Sequence, residues 1–230
     1  MNHKVTCFLP CRAGSQRVIR KNIKPFSSHD HGLIEIKLRQ LLETEMIDEI
    51  VLSTNDLEIL NYAKLLNEPR LRIHRRAEEL SSSETSTDKL VAHALELIPK
   101  GQILWTHVTS PFITSKHYNL IIKSYFDHMD QGYDSLMTTT AIHGFLWQDE
   151  LPMNYDRNIE RWPRTQTLKE VHEVNSGAFI APAAVYRELD DRIGQRPFLY
   201  KMDRLTSFDI DWQEDFLIAE CLLEKGLVTT

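Results

Sequence analysis

Val5-Thr6-Cys7-Phe8-Leu9-Pro10-Cys11-Arg12-Ala13-Gly14-Ser15-Gln16-Arg17-Val18-Ile19-Arg20-Lys21-Asn22-Ile23-Lys24-Pro25-Phe26 opens with an apolar run and passes into a basic loop. Val5 to Leu9 reads as the first strand of a buried sheet, ended by Pro10. Five cations then surround a small-residue turn: Arg12, Arg17, Arg20, Lys21 and Lys24. Gly14 lets backbone N–H groups approach an anion, and the side chains supply charge, so a phosphate-bearing ligand is expected, most economically a nucleoside triphosphate. The spacing excludes two common phosphate loops. No second and third glycine complete a dinucleotide fingerprint, and Gly14 does not open the Gly-x-x-x-x-Gly-Lys-Ser/Thr pattern of a P-loop.

Composition sets the bounds. A chain of 230 residues, 42% hydrophobic and 26% charged, suits one α/β domain spanning residues 1–230. Its net charge of −6 argues against nucleic acid as a general partner and makes the basic loop a local feature. Cys7, Cys11 and Cys221 are an odd number with no metal-ligand pairing, and are expected to be reduced thiols. The short apolar run near the start is neither a signal peptide nor a membrane span, so no membrane association and a cytoplasmic location are expected.

Beyond the loop, strands and helices alternate. Gly32 to Ile47 has apolar residues at helical spacing with polar positions on the other face, and Ile47 to Thr54 reads as a strand whose Ser-Thr-Asn-Asp end caps a helix near Leu57. Arg70 to Arg76 is a short strand with a basic exit. The hydroxyl run Ser81-Ser82-Ser83-Glu84-Thr85-Ser86-Thr87 precedes a helix over Lys89 to Ile98, and Gln102 to Trp105 is a strand leading into Thr106-His107-Val108-Thr109-Ser110-Pro111. A helix over His117 to Met129, strands over Asp134 to Thr140, Glu173 to Pro182 and Phe198 to Met202, and helices over Ala183 to Leu189 and Gln213 to Glu224 complete the pattern. This order implies helices on both faces of a mostly parallel sheet, with ligands at the carboxyl ends of the strands. Residues 141–174 break the pattern: Phe145, Trp147, Pro152, Trp162 and Pro163 stand among charges with no clear period, a functional excursion or an interface. Near the end, Asp209 and Asp211 alternate in an extended segment, so their carboxylates project to one side and can share a cation.

Leu9-Pro10-Cys11-Arg12-Ala13-Gly14-Ser15 with Lys21-Asn22-Ile23-Lys24-Pro25, the segment from Arg76 to Leu80 with Ser86-Thr87, Thr109-Ser110-Pro111, Asn175 to Ala178, and Asp209-Ile210-Asp211 before Glu214-Asp215-Phe216 together resemble the CMP-sugar synthetases. These cytidylyltransferases activate sialic-acid-like nonulosonates and, more distantly, 3-deoxy-octulosonate (Kdo). The resemblance follows the family's order over nearly the whole chain. It implies a three-layer α/β/α Rossmann-like nucleotidyltransferase fold, CTP and a keto-acid sugar as substrates, Mg²⁺ on Asp209 and Asp211, and a homodimer in which 141–174 is an arm exchanged between subunits. It implies catalytic roles for Arg12, Lys21, Asp209 and Asp211, and nucleotide contacts from Arg12, Ala13, Gly14, Ser15, Arg17, Lys21, Asn22, Arg76, Ser86 and Thr87. Sugar contacts fall to His107, Thr109, Ser110 and Phe179, and the product is one destined for a surface polysaccharide such as lipopolysaccharide or capsule.

Several positions depart from the family pattern. Ala77 follows Arg76 where relatives often carry Pro, His107 stands where sialate-activating members carry Gln, and Ser176 is inserted in the Asn-Gly-Ala strand. Arg164, Lys169, Arg196 and Lys201 are all available for the sugar carboxylate, with no spacing argument to choose among them. Alternative readings are a nucleotidyltransferase acting on Kdo or a sugar 1-phosphate, and a catalytically silent nucleotide-binding homologue. Relatives place Lys directly after Gly-Ser; here Gln16 stands there, and Arg17 is expected to carry the charge. Arg17→Ala should therefore weaken triphosphate binding about tenfold in a calorimetric titration, and unchanged nucleotide affinity would contradict the assignment.

Overall fold

A computed structural model describes residues 4–82 and 85–230; Met1, Asn2 and His3 of the leader and Ser83 and Glu84 of the hydroxyl run lie outside the described residues. The first half of the chain lays down parallel strands. β1 (Val5–Pro10) pairs in parallel with β2 (Glu49–Thr54) and with β4 (Gln102–Trp105), and β2 pairs with β3 (Leu71–Arg75). The second half adds β8 (Val171–Pro182), antiparallel to both β4 and β5 (Ser135–Ile142), and β9 (Pro197–Met202), parallel to β5. The order is β3-β2-β1-β4-β8-β5-β9, a mostly parallel sheet with one reversed strand.

Alternation along the strands builds two cores. Cys7, Leu9, Ile50, Leu52, Leu104 and Ile180 face a core shared with α1 (Gly32–Leu42), α2 (Leu57–Leu66), α4 (Ser115–Met129) and α6 (Gln213–Glu224). Phe8, Val51, Ile103, Trp105 and Phe179 face the other, shared with α3 (Thr87–Leu97) and α5 (Ala183–Leu189). Both faces are covered, as a parallel sheet requires, and the three layers expected from the sequence are present. Among the described residues no helix is long and apolar enough to cross a membrane. Cys7 and Cys11 are buried and Cys221 is exposed, all as free thiols.

The elements fall where the periodicity predicts, with one informative difference. α1 stops at Leu42 rather than running to Ile47. Arg70 supplies the reason: its guanidinium donates to the carbonyls of Leu42, Thr44 and Ile47, so the chain turns there instead of continuing the helical ladder. The polar positions of α1 also differ from the amphipathic reading, because Lys37 and Gln40 are both buried.

β5 and β8 continue past β9 as a short two-stranded ribbon, pairing Ala141 with His172 and Ile142 with Val171. The excursion hangs from its tip. It contains a small hairpin, β6 (Trp147–Gln148) with β7 (Leu151–Pro152), and an aromatic cluster of Phe145, Tyr155 and Trp162. Buried Asn154 ties it together, donating to the carbonyls of Gly144 and Lys169 and accepting from Leu146 N.

The inserted Ser176 becomes a bulge. The β5–β8 register shifts between Met137 and Thr139, and Ser176 takes a left-handed φ of 58°. Asn175 Oδ1 locks the bulge by accepting from Thr138 Oγ1 at 2.7 Å and Gly177 N at 3.1 Å, while its Nδ2 donates to Thr140 Oγ1 at 3.0 Å. A Cβ on Gly177 would sit 2.6 Å from Ile113 Cδ1, so a side chain there would require that methyl group to shift.

Candidate active site

The carboxyl ends of β1, β3 and β4 and the bulge of β8 converge on a cleft of about 600 Å³, within the range of small-molecule sites. The loop after β1 forms one wall. Gly14 holds the turn with a φ of +76°, a conformation costly to other residues. The loop is braced rather than slack: Ala13 N donates to Asn55 Oδ1 at 2.9 Å, Asn22 Nδ2 donates to the Arg12 carbonyl at 3.2 Å, and Ser15 Oγ accepts from Val18 N. Arg12, Ser15, Arg17, Lys21 and Asn22 face the cleft, whereas Ala13 and Gly14 shape the turn behind them.

The count of five loop cations needs correction. Arg20 pairs with Glu58, and Lys24 lies 4.4 Å from the centre of the Phe216 ring, so two of the five are directed elsewhere. The spacing of charges in a loop without periodicity does not fix their directions. Arg12, Arg17 and Lys21 remain, and Arg76 joins them from the end of β3. Arg76 is buried, donating through Nη2 to the Cys11 carbonyl at 2.7 Å and through Nε to Ser81 Oγ at 3.1 Å, while its buried Nη1 has no partner among the described residues. Buried donors are normally satisfied, so this open N–H points to an acceptor supplied by a ligand. Ser86 has a different task from the expected nucleotide contact: its hydroxyl caps α3 by accepting from Lys89 N, and Thr87 is the hydroxyl residue that lines the cleft.

The opposite wall is the segment before α6. Lys21 Nζ donates to the Ile210 carbonyl at 2.7 Å and meets Asp211 Oδ1 at 3.2 Å, and Arg17 Nη2 reaches the same oxygen at 2.9 Å. Arg17 also lies over the Trp212 ring. The helix is capped by Asp215, whose Oδ2 accepts from Asp211 N and Trp212 N, leaving the carboxylates of Asp209 and Asp211 to face the cleft. Asp209 accepts from Ser110 Oγ at 3.3 Å. Burial raises its carboxyl above the usual range, and the neighbouring Asp211 charge pushes the same way against the hydrogen bond from Thr109. Two crowded carboxylates with hard oxygen donors fit a divalent cation, and Mg²⁺ characteristically takes one or two carboxylates with the remaining positions left to phosphate and water.

The floor comes from the turn after β4. Thr109 and His107 line the cleft, but Ser110 is fully buried and acts behind it, as the donor to Asp209. His107 Nε2 accepts from the Trp105 indole N–H at 3.2 Å, which places the ring proton on Nδ1. Burial, with the nearby Arg192, lowers its pKa to about 3, so it stays neutral. Phe179 corrects the expectation of a sugar contact: it is 1% exposed and packed in the core beneath Arg192. A side chain one position along β8 faces the opposite side of the sheet, and the bulge at Ser176 turns that residue toward the cleft instead. Sequence reasoning missed Trp105 and Arg192 as well as Ser176. Cys11 lines the cleft too, but burial pushes its thiol up to about 11, so it is protonated at neutral pH and is no nucleophile.

Lys37 supports this floor from below. Its Nζ donates to the Ser110 carbonyl at 2.8 Å and to Tyr118 Oη at 2.7 Å, and Gln40 Nε2 donates to the Pro111 carbonyl. Burial lowers the Lys37 pKa to about 7. Its amphipathic position in α1 gave no sign of this role; a lysine opposite a Thr-Ser-Pro turn becomes legible only when α1 and β4 are packed together.

The cytidylyltransferase family model matches residues 6–220. The chain is similar to the pseudaminic acid cytidylyltransferase of Campylobacter jejuni subsp. jejuni serotype O:23/36, 24% identical over 226 residues that cover 95% of this chain and 96% of that one. It is also 24% identical over 233 residues to the N-acylneuraminate cytidylyltransferase of Escherichia coli O18:K1:H7, covering 98% of this chain and 53% of the relative. Among solved structures, a CMP:2-keto-3-deoxy-manno-octonic acid synthetase complexed with CTP shares the fold with a TM-score of 0.67 at 15% identity, covering 97% of this chain and 99% of that one.

The Lys37 environment sets a pH dependence. A lysine with a folded pKa near 7 and an ordinary value of 10.5 is bound to a proton in the unfolded chain but not in the folded one between those values, so stability rises with pH through that window. Between pH 7 and 8.5, below the ordinary thiol pKa of 9.0, urea denaturation should show a gain on the order of 1 kcal/mol per pH unit. Lys37→Met should flatten that slope, and equal slopes in the two proteins would contradict the assignment.

Proposed function

This chain belongs to the cytidylyltransferase family, and we propose that it transfers CMP from CTP to the anomeric hydroxyl of a nonulosonic keto-acid sugar, releasing pyrophosphate. The observation that carries the reading is the meeting of Arg17 and Lys21 with Asp211 across one cleft, which brings a phosphate-attracting wall against a carboxylate pair. Phosphoryl-type transfer asks little covalent work of a protein; positioning and charge stabilisation lower most of the barrier. Arg12 and Arg17 on the loop and Arg76 at the end of β3 neutralise the triphosphate. The anomeric oxygen forms a bond to the α-phosphorus as the bond from that phosphorus to the β-phosphate bridge oxygen breaks, and the hydroxyl proton is lost to the medium. Asp209 and Asp211 would hold a divalent cation such as Mg²⁺, which would supply charge neutralisation and Lewis-acid activation to the triphosphate. Beside the phosphate contact expected of it, Lys21 is bonded to Ile210 and Asp211 and so holds the carboxylate segment against the loop.

The names of the similar pseudaminic acid and N-acylneuraminate cytidylyltransferases support an acid sugar as acceptor. The excursion supports a homodimer. Trp162 is 63% exposed, and Leu151, Met153 and Ile159 are exposed near it, an apolar surface that a second copy would cover.

Pyrophosphate release should be measured with CTP and Mg²⁺ across sialic, legionaminic and pseudaminic acids, Kdo and a sugar 1-phosphate. Release with at least one nonulosonic acid is expected, falling by about 10²–10³-fold in Asp211→Asn, and the same preparation should sediment at twice the chain mass. Release only with a sugar 1-phosphate, or undiminished release from the variant, would contradict the proposal.

A further inference from the structure

Arg192 lies in the turn between α5 and β9, away from every motif of the sequence, and lines the cleft beside Trp105, His107 and Ser176. Its guanidinium is stacked: the central carbon is 3.7 Å from the centre of the Phe179 ring and 4.8 Å from that of Trp105. A planar guanidinium held by its face donates along its edges. Nη1 is buried and has no hydrogen-bond partner, and among the described residues no carboxylate forms an ion pair with Arg192. Asp191 and Tyr186 favour its charge from nearby without an ion pair, and a cation partly desolvated against two aromatic rings is costly unless something anionic completes it.

The neighbouring His107 adds a neutral donor. Because its Nε2 accepts from the Trp105 indole, its N–H is on Nδ1, and burial, helped by the nearby guanidinium, keeps the ring from taking up a second proton. Trp105 therefore supports both groups, as a ring under Arg192 and as a hydrogen-bond donor to His107. Other cations near the site are less suited. Arg12 and Arg17 belong to the loop wall, and Arg204 lies in an adjoining lobe but is exposed. Of the cations available from the sequence alone, Arg196 lies over Tyr133 and Lys201 is paired with Glu170, and neither lines the cleft.

We propose that Arg192, stacked on Phe179 and Trp105, binds the carboxylate of the acid sugar, with His107 as the adjacent neutral donor. The inference rests on the acid-sugar reading above and adds to it the residue that selects an acid acceptor. A flat carboxylate accepts two N–H bonds from a guanidinium edge, which orients the sugar as well as holding it. This arrangement also gives the His107 departure a role: a neutral imidazole beside a half-buried cation donates a hydrogen bond without adding a second charge.

The test compares wild type with Arg192→Gln, Arg192→Lys and Arg204→Gln, using pyrophosphate release at saturating CTP with the acid sugar that wild type uses best and with its carboxamide. Arg192→Gln should raise the KM for the acid about 10–100-fold, leave the KM for CTP within about twofold, and lose the preference for acid over amide. Arg192→Lys should retain part of that preference, and Arg204→Gln all of it. A loss of CTP affinity in Arg192→Gln, with the acid preference intact, would reassign Arg192 to the nucleotide and overturn the proposal, as would no change in either KM. Absence of turnover with every acid sugar by wild type would instead overturn the acid-sugar reading, and the inference with it. A thermal midpoint in Arg192→Gln matching wild type guards against misfolding; if it falls, the acid-to-amide ratio of Arg192→Lys decides.

Discussion

The ammonium of Lys21, 8% exposed, donates to the Ile210 carbonyl and meets the Asp211 carboxylate, joining the first loop of the chain to a segment almost at its end. Everything in the cleft depends on this contact. The loop alone is a cluster of like charges that repel one another; the 209–211 segment alone is a pair of carboxylates, one of them buried enough to resist ionisation. Brought together, each offsets the other's cost, and the cationic and carboxylate walls come to face the same space. Arg17 shares the same carboxylate oxygen.

The rest of the fold holds that contact in place. Ile210 N donates to the Thr109 carbonyl, Ser110 donates to Asp209, and Lys37 holds the Ser110 carbonyl from within α1. The closing segment is thereby fastened both to the loop and to the turn after β4. The reversed strand β8 completes the cleft through a bulge, in which one inserted residue turns Ser176 inward while Asn175 binds the hydroxyls of β5. The cost of a left-handed serine is met by that side-chain network.

Much of this was legible in the sequence because its signals are local. Buried strands are short apolar runs, helices repeat apolar residues at helical spacing, and the motif order along the chain carried the family resemblance. What was not legible depends on packing between distant parts. Lys37 and Gln40 look like the polar face of α1, yet both are buried against the turn after β4. Arg20 and Lys24 add charge to the loop as sequence, but tertiary neighbours draw them to Glu58 and Phe216. Ser110 and Phe179 sit in recognisable motifs and still act from behind the cleft wall. Arg192 lies in an irregular turn, and its meaning appears only when Trp105 and Phe179, neighbours on paired strands, form the surface it rests on.

The most direct test of this account is a double-mutant cycle on CTP affinity with Lys21→Met, Asp211→Asn and the combined variant, measured by calorimetry in Mg²⁺. Residues in contact and acting as one unit should be non-additive, with a coupling of about 0.5–3 kcal/mol. Losses that simply add would mean that Lys21 and Asp211 serve the nucleotide independently, and would contradict the view that their contact assembles the site.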